Sequence, residues 1–126
     1  MSKVRDDGYI ENPSGARRSD RTGKGRYDLI SPFGLHELAL VCEEGALHKG
    51  ERNWEKGFEM SRCLDSASRH INQYRMGMRD ERHLAQACWN LFAAIHFEKM
   101  IRLGKIDEKF NDLPNYIDDL PKLPQQ

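Results

Sequence analysis

The sequence predicts an all-α chain: a helical bundle of three main helices, with an extended basic arm before it and a proline-containing tail after it. Apolar residues recur at three- and four-residue spacing in three segments, and no segment alternates as a half-buried strand would. Each segment is bracketed by start and stop residues, Ser31-Pro32 to Gly50, Ser61 to Gly77 and Asp80 to Gly104. The flanks carry glycine, proline and charge in place of periodicity. This divides the chain into an arm (1–30), a helical core (31–104) and an acidic tail (105–126).

Composition narrows the function classes. The chain has 126 residues, 38% hydrophobic and 32% charged, with a formal net charge of +0. One domain is expected, its core drawn from a subset of the chain. A balanced charge argues against a duplex-wide electrostatic footprint, so no stable nucleic-acid complex is expected. No apolar run reaches membrane-spanning length, so no membrane partner is expected either. Cys42, Cys63 and Cys88 are widely spaced. They read as reduced thiols in a cytoplasmic protein, packed as small core residues.

The arm holds Lys3, Arg5, Arg17, Arg18, Arg21, Lys24 and Arg26. A solvated tail is the plainer reading of this arm; the alternative is that Gly23-Lys24-Gly25-Arg26 offers pliable backbone and two cations to a phosphate, without the spacing of a Walker loop. The first helix starts at Ser31-Pro32 and runs to about Lys49, with Leu35, Leu38, Cys42 and Ala46 as its apolar seam. Glu43 and Glu44 are either a solvated face or oxygen donors to a divalent cation. Residues 50–60 form a loop. Trp54 in that loop either plugs the core or stacks on a flat ligand, and the plug is favoured.

Ser61 is expected to cap the second helix, 62–76, whose seam is Leu64, Ala67, Ile71 and Tyr74. His70 lies at the seam edge with Cys63 and Tyr74, where a hydrogen-bonded core histidine is the plainer reading. Asp80 is expected to cap the third helix, which runs to about Leu103. There Leu84, Cys88, Leu91 and Ile95 face one way, and Phe92 and Phe97 widen the apolar surface. His83, Gln86 and Asn90 fall at i, i+3 and i+7 and form a polar stripe that needs partners. A short helix is expected near 106–111. So few helices make a thin core, and a homo-oligomer, a dimer or a tetramer, is expected to complete it.

Several ordered motifs then resemble a known family. They are Gly-Lys-Gly-Arg-Tyr-Asp-Leu-Ile-Ser-Pro (23–32), Glu44-Gly45-Ala46, Arg-Asn-Trp-Glu-Lys-Gly (52–57), Leu-Asp-Ser-Ala-Ser-Arg-His (64–70) and His-Leu-Ala-Gln-Ala-Cys-Trp-Asn (83–90). Together they resemble the phage dATP/dGTP diphosphohydrolases, the MazZ-type branch of the MazG-like all-α nucleotide pyrophosphohydrolases. The likeness covers roughly 14–103 and the tail segment 118–121. It implies hydrolysis of a purine (d)NTP, chiefly dGTP, between the α and β phosphates with Mg²⁺ or Mn²⁺ as cofactor. The products would be the monophosphate and pyrophosphate, in phage nucleotide metabolism and the host cytoplasm.

The wider superfamily pairs Glu-Glu-x-x-Glu on one helix with Glu-x-x-Asp on another. Aligned through Trp54, Gly77 and Trp89, the second motif falls on His83-x-x-Gln86 and the first on Asp65, Ser66 and Arg69. A rival alignment sets the acidic pair at Glu43-Glu44 with Leu47 third. On this resemblance Glu44, Asp65 and His83 are the expected metal ligands, and Glu43 and Glu81 the expected catalytic carboxylates. Lys24, Arg26, Asn53, Trp54, Lys56, Arg69, His70 and Gln86 are the expected nucleotide contacts. The alternatives are a non-hydrolytic nucleotide-binding or oligomeric scaffold and, after it, a DNA-binding adaptor using the basic arm.

Overall fold

The computed structural model describes residues 8–117, 121, 123 and 124. Lys3 and Arg5 of the basic arm and residues 118–120 of the tail motif lie outside the described residues. The chain divides into two compact units, Met1–Ser31 and Pro32–Gln126.

In the first unit the sequence-based expectation of an extended arm without strands is corrected. Strand β1 (Tyr9–Glu11) pairs antiparallel with β2 (Arg17–Ser19), Tyr9 opposite Ser19 and Glu11 opposite Arg17. The connecting turn is held by Asn12, whose backbone N–H donates to the Ala16 carbonyl at 2.8 Å and whose side-chain oxygen accepts from Ser14 N–H at 3.0 Å. Each strand is only three residues long and almost wholly exposed, Ile10 alone being half-buried, so there is almost no alternation to read and the hairpin is invisible to periodicity.

The second unit is helical. Among the described residues it holds α1 (Pro32–Lys49), α2 (Met60–Arg75) and α3 (His83–Arg102), with short 3-10 turns at Asn53–Lys56 and Glu108–Phe110. Helix α1 begins at its proline, where a missing N–H costs nothing, and ends in His48 and Lys49, which suit the negative end of the helix dipole. Gly50 follows at φ 97°, its N–H closing on the Ala46 carbonyl at 3.0 Å.

Helix α2 packs most extensively on α3, and α1 on α3. The core is Met60, Cys63, Ala93, Ala94 and Phe97, sealed by Trp54, Phe58, Trp89, Ile101, Ile106 and Leu113. The tail is pinned to the 53–57 turn because Phe110 lies over Gly57, where a Cβ would meet its ring at 3.1 Å. Residues 111–113 also return to the start of α2. Asp112 accepts from the Ser61 N–H at 2.9 Å and from the Ser61 hydroxyl at 2.5 Å. Ser61 therefore does not cap α2. Glu59 stands at that position, and a carboxylate from the tail supplies the acceptor.

The helix faces differ from those the sequence suggests. On α3 the buried side is His83, Ala87, Asn90, Ala93, Ala94 and Phe97. Leu84, Cys88, Leu91 and Ile95 are exposed in the single chain, Ile95 by 63%. On α2 the buried stripe is Met60, Cys63 and Ala67, while Leu64 and Ile71 face out. On α1 Val41 is buried and Leu35 and Cys42 are exposed. Cys63 alone of the three thiols is a core residue, its pKa raised by burial. The small residues Cys63, Ala67, Ala87, Ala93 and Ala94 on the inner faces allow close helix approach, with Met60 and Phe97 filling the space that remains.

Candidate functional site

Several of the candidate residues line one broad, open cavity of about 1180 Å³ in the helical unit. Helix α1 contributes Glu43, Glu44 and His48 to its wall, and the turn after it contributes Asn53, Trp54 and Lys56. Glu81, Gln86, Trp89 and Asn90 come from α3 and its approach, and Arg62 and Ser66 from α2. Arg52 adopts a left-handed backbone, φ 55°, a conformation disfavoured for a side chain with a Cβ. That bend starts the 3-10 turn bearing Asn53 and Trp54. Arg52 Nη1 is tied to Glu55 at 2.6 Å.

Trp54 acts as the expected plug and lines the cavity as well. Its ring meets His96 edge-on at 4.7 Å and Trp89 at 6.1 Å, and lies 6.0 Å from Phe97. At the acidic side, Arg82 ties α1 to the entry of α3. It pairs with Glu37 and lies 3.7 Å from Glu44, Nε to Oε1. Both partners are about half exposed, so each ion pair is screened and of small energy. Their effect is to orient Glu44 at the rim.

Beside Glu81 lies a part-buried polar relay centred on His83. His83 Nε2 stands 2.8 Å from Asp80 Oδ1, and His83 Nδ1 stands 2.9 Å from His70 Nδ1. A carboxylate only accepts, so Nε2 of His83 carries the proton and Nδ1 presents a lone pair, towards which His70 Nδ1 donates. Asp80 is not the N-cap of α3, a place taken by Arg82. The hydrogen bond from His83 holds the Asp80 carboxyl below its usual range. Burial pushes the His70 pKa down, favouring its neutral form. His70, Glu81 and His83 bring one ligand atom each within 4.8 Å of one another. Further along the stripe, Asn90 Nδ2 donates to the Gln86 carbonyl at 2.9 Å, leaving the Gln86 side chain to the cavity.

The structure thus brings Glu43, Glu44, Asn53, Trp54, Lys56, Glu81 and Gln86 to one cavity. His83 and His70 stand together beside Glu81. Asp65 is exposed on α2 away from this wall, and Arg69 beside it donates to Ser66 Oγ at 3.0 Å. Lys24 and Arg26 belong to the first unit. Arg26 is engaged by a two-pronged pair with Asp28, 2.8 Å at each prong, which draws the Asp28 carboxyl down to about 2.

The dATP/dGTP diphosphohydrolase N-terminal family matches residues 14–108, well over half of the chain. The chain belongs to that family. The matched span includes every residue of the cavity wall and of the histidine relay. No curated protein and no solved structure matches. Among the described residues of this diphosphohydrolase-family chain, no helix is long and apolar enough to cross a membrane.

Sequence reasoning offers Asp80 as a helix cap and as one of the carboxylates available to a cation, but it does not pair it with His83, although the spacing of three is a signal for that pairing. Arg82 carries no sequence signal, because its partners are 45 and 38 positions away. Outside the site, the contact of Asp112 with Ser61 is equally remote in sequence.

Proposed function

We propose that this chain hydrolyses purine (d)NTPs, chiefly dGTP, to the monophosphate and pyrophosphate, in phage nucleotide metabolism within the host cytoplasm. The carrying observation is the make-up of the cavity. Six carboxylates, Glu43, Glu44 and Glu81 among them, share it with the Trp54 indole, the Asn53 amide and Lys56. A triphosphate needs divalent cations and a positive contact, and a purine needs a flat apolar face and an amide. Family membership supports the same reading.

Oxygen donors suit Mg²⁺ or Mn²⁺, so the cavity carboxylates fit the expected cofactor. Glu44, assisted by Glu43, would hold it from α1. Asp65, expected to face Glu44, is left without a part in this cavity. A bound cation neutralises triphosphate charge and acidifies a water ligand. Lys56 positions phosphate, while Trp54 and Asn53 hold the base. Glu43 or Glu81 accepts the proton of the attacking water. Gln86 and the His83 relay beside it keep this wall polar against a charged substrate. A second copy of the chain is proposed to cover the outward apolar stripe of α3.

The test is pyrophosphate release measured over the eight common (d)NTPs with Mn²⁺. Release selective for purine triphosphates is the expected result. Nucleotide binding without release would favour the scaffold reading. Salt-sensitive DNA retention with neither would favour the adaptor.

A further inference from the structure

We propose that His70, His83 and Glu81 form a binding site for a late first-row transition-metal ion of the Zn²⁺ or Co²⁺ kind, distinct in chemistry from the Mg²⁺ or Mn²⁺ that accompanies a triphosphate. It stands on these residues alone and holds whether or not the chain is a hydrolase.

The donor set is two imidazoles and one carboxylate. Imidazole selects zinc, cobalt, nickel and iron over magnesium, which takes oxygen. The spacing also fits. Two neighbouring ligands at about 2.0–2.1 Å from one ion are separated by roughly 3 Å. The two Nδ1 atoms stand 2.9 Å apart, and the Glu81 carboxylate is within 4.8 Å of both.

The surroundings are those of a metal site as well. Asp80 accepts from Nε2 of His83 at 2.8 Å, which leaves Nδ1 as a lone-pair donor and fixes the ring plane. A carboxylate behind a ligating histidine is the usual orienting device in such sites. His83 is fully buried between α2 and α3, so its ring is held by packing too. An ion bound here displaces the proton that His70 donates to His83. His70 then carries its proton on Nε2, and the pair stays neutral. Access is through Glu81, which is exposed and belongs to the cavity wall.

The plain alternative is a His–His–Asp chain whose work is to tie α2 to α3. Co²⁺ titration of the chelator-stripped full-length protein, followed by visible absorption and calorimetry without nucleotide, separates the two. One Co²⁺ per chain is expected, with a ligand-field band that Zn²⁺ removes and excess Mg²⁺ leaves in place. Asp80→Asn is expected to weaken binding by about 10–100-fold. His70→Gln and Glu81→Gln are expected to weaken it more than that, with far-ultraviolet circular dichroism unchanged. Wild-type protein that binds no Co²⁺, or His70→Gln and Glu81→Gln that bind it as wild type does, overturns the site. Pyrophosphate release with Mg²⁺ is scored separately, so a failed metal site and a failed hydrolase reading give different results.

Discussion

Glu44 sits where two demands meet. Its carboxylate lies 3.7 Å from Arg82 and opens on the cavity. In its proposed role as a cation ligand it would stabilise charge that develops on the phosphates. Glu44→Ala is therefore expected to lower kcat about 100-fold or more, the scale of losing one aligned charge contact. Full turnover with Mn²⁺ would remove it from the site. Asp112 illustrates the same scale in stability. Its carboxylate accepts two hydrogen bonds from Ser61, first the hydroxyl and then the backbone, and its pKa is lowered. A lowered folded-state pKa means stabilisation that is complete above the unfolded value, about 3.9, and lost as pH falls through the folded value. Asp112→Asn should thus melt below wild type at pH 7, and the gap should close in strong acid. A gap independent of pH would refute the assignment.

At the scale of elements, α3 decides the fold. Its sequence is apolar nearly all round, so periodicity alone offers two candidate faces. Burial selected the face with Ala87, Ala93, Ala94 and Phe97 because small residues let α2 approach closely. Phe97 fills the gap they leave and is fully buried, in edge contact with Phe58 at 4.9 Å. Phe97→Ala should cost about 3–5 kcal/mol, a large share of the stability of a small domain, read as a lower urea midpoint. A loss under 1 kcal/mol would mean that the α2–α3 interface tolerates the cavity. Helix limits were legible within a residue or two, since Pro32, Gly50, Gly77 and Gly104 mark them. Helix faces were not, since Leu84 and Ala87 read almost alike in one dimension.

The whole molecule leaves a good deal of apolar surface uncovered. Leu84, Leu91, Phe92 and Ile95 on α3 and Leu64 and Ile71 on α2 are all exposed in the single chain. This is the area that the proposed second copy of the chain would cover. Light scattering of the purified protein is expected to give at least twice the 14.7 kDa chain mass. Leu91→Glu with Ile95→Glu should shift it to the monomer while keeping helical circular dichroism. A wild-type monomer at micromolar concentration would refute the self-association.

By itself the sequence determined the helical class, the number of main helices and where they start and stop. It also determined the ordered motifs of the family. These are local properties, written in backbone propensity, caps and spacing. It named the carboxylates, the indole and the histidines as candidates, because chemistry restricts which side chains can serve a triphosphate. Tertiary structure alone decided which of them meet. It put Glu43, Glu44 and Glu81 on one cavity, left Asp65 outside it, and paired His70 with His83 across two helices. Such pairings depend on the rotation of each helix about its axis, and that rotation is set by packing between segments far apart in the chain.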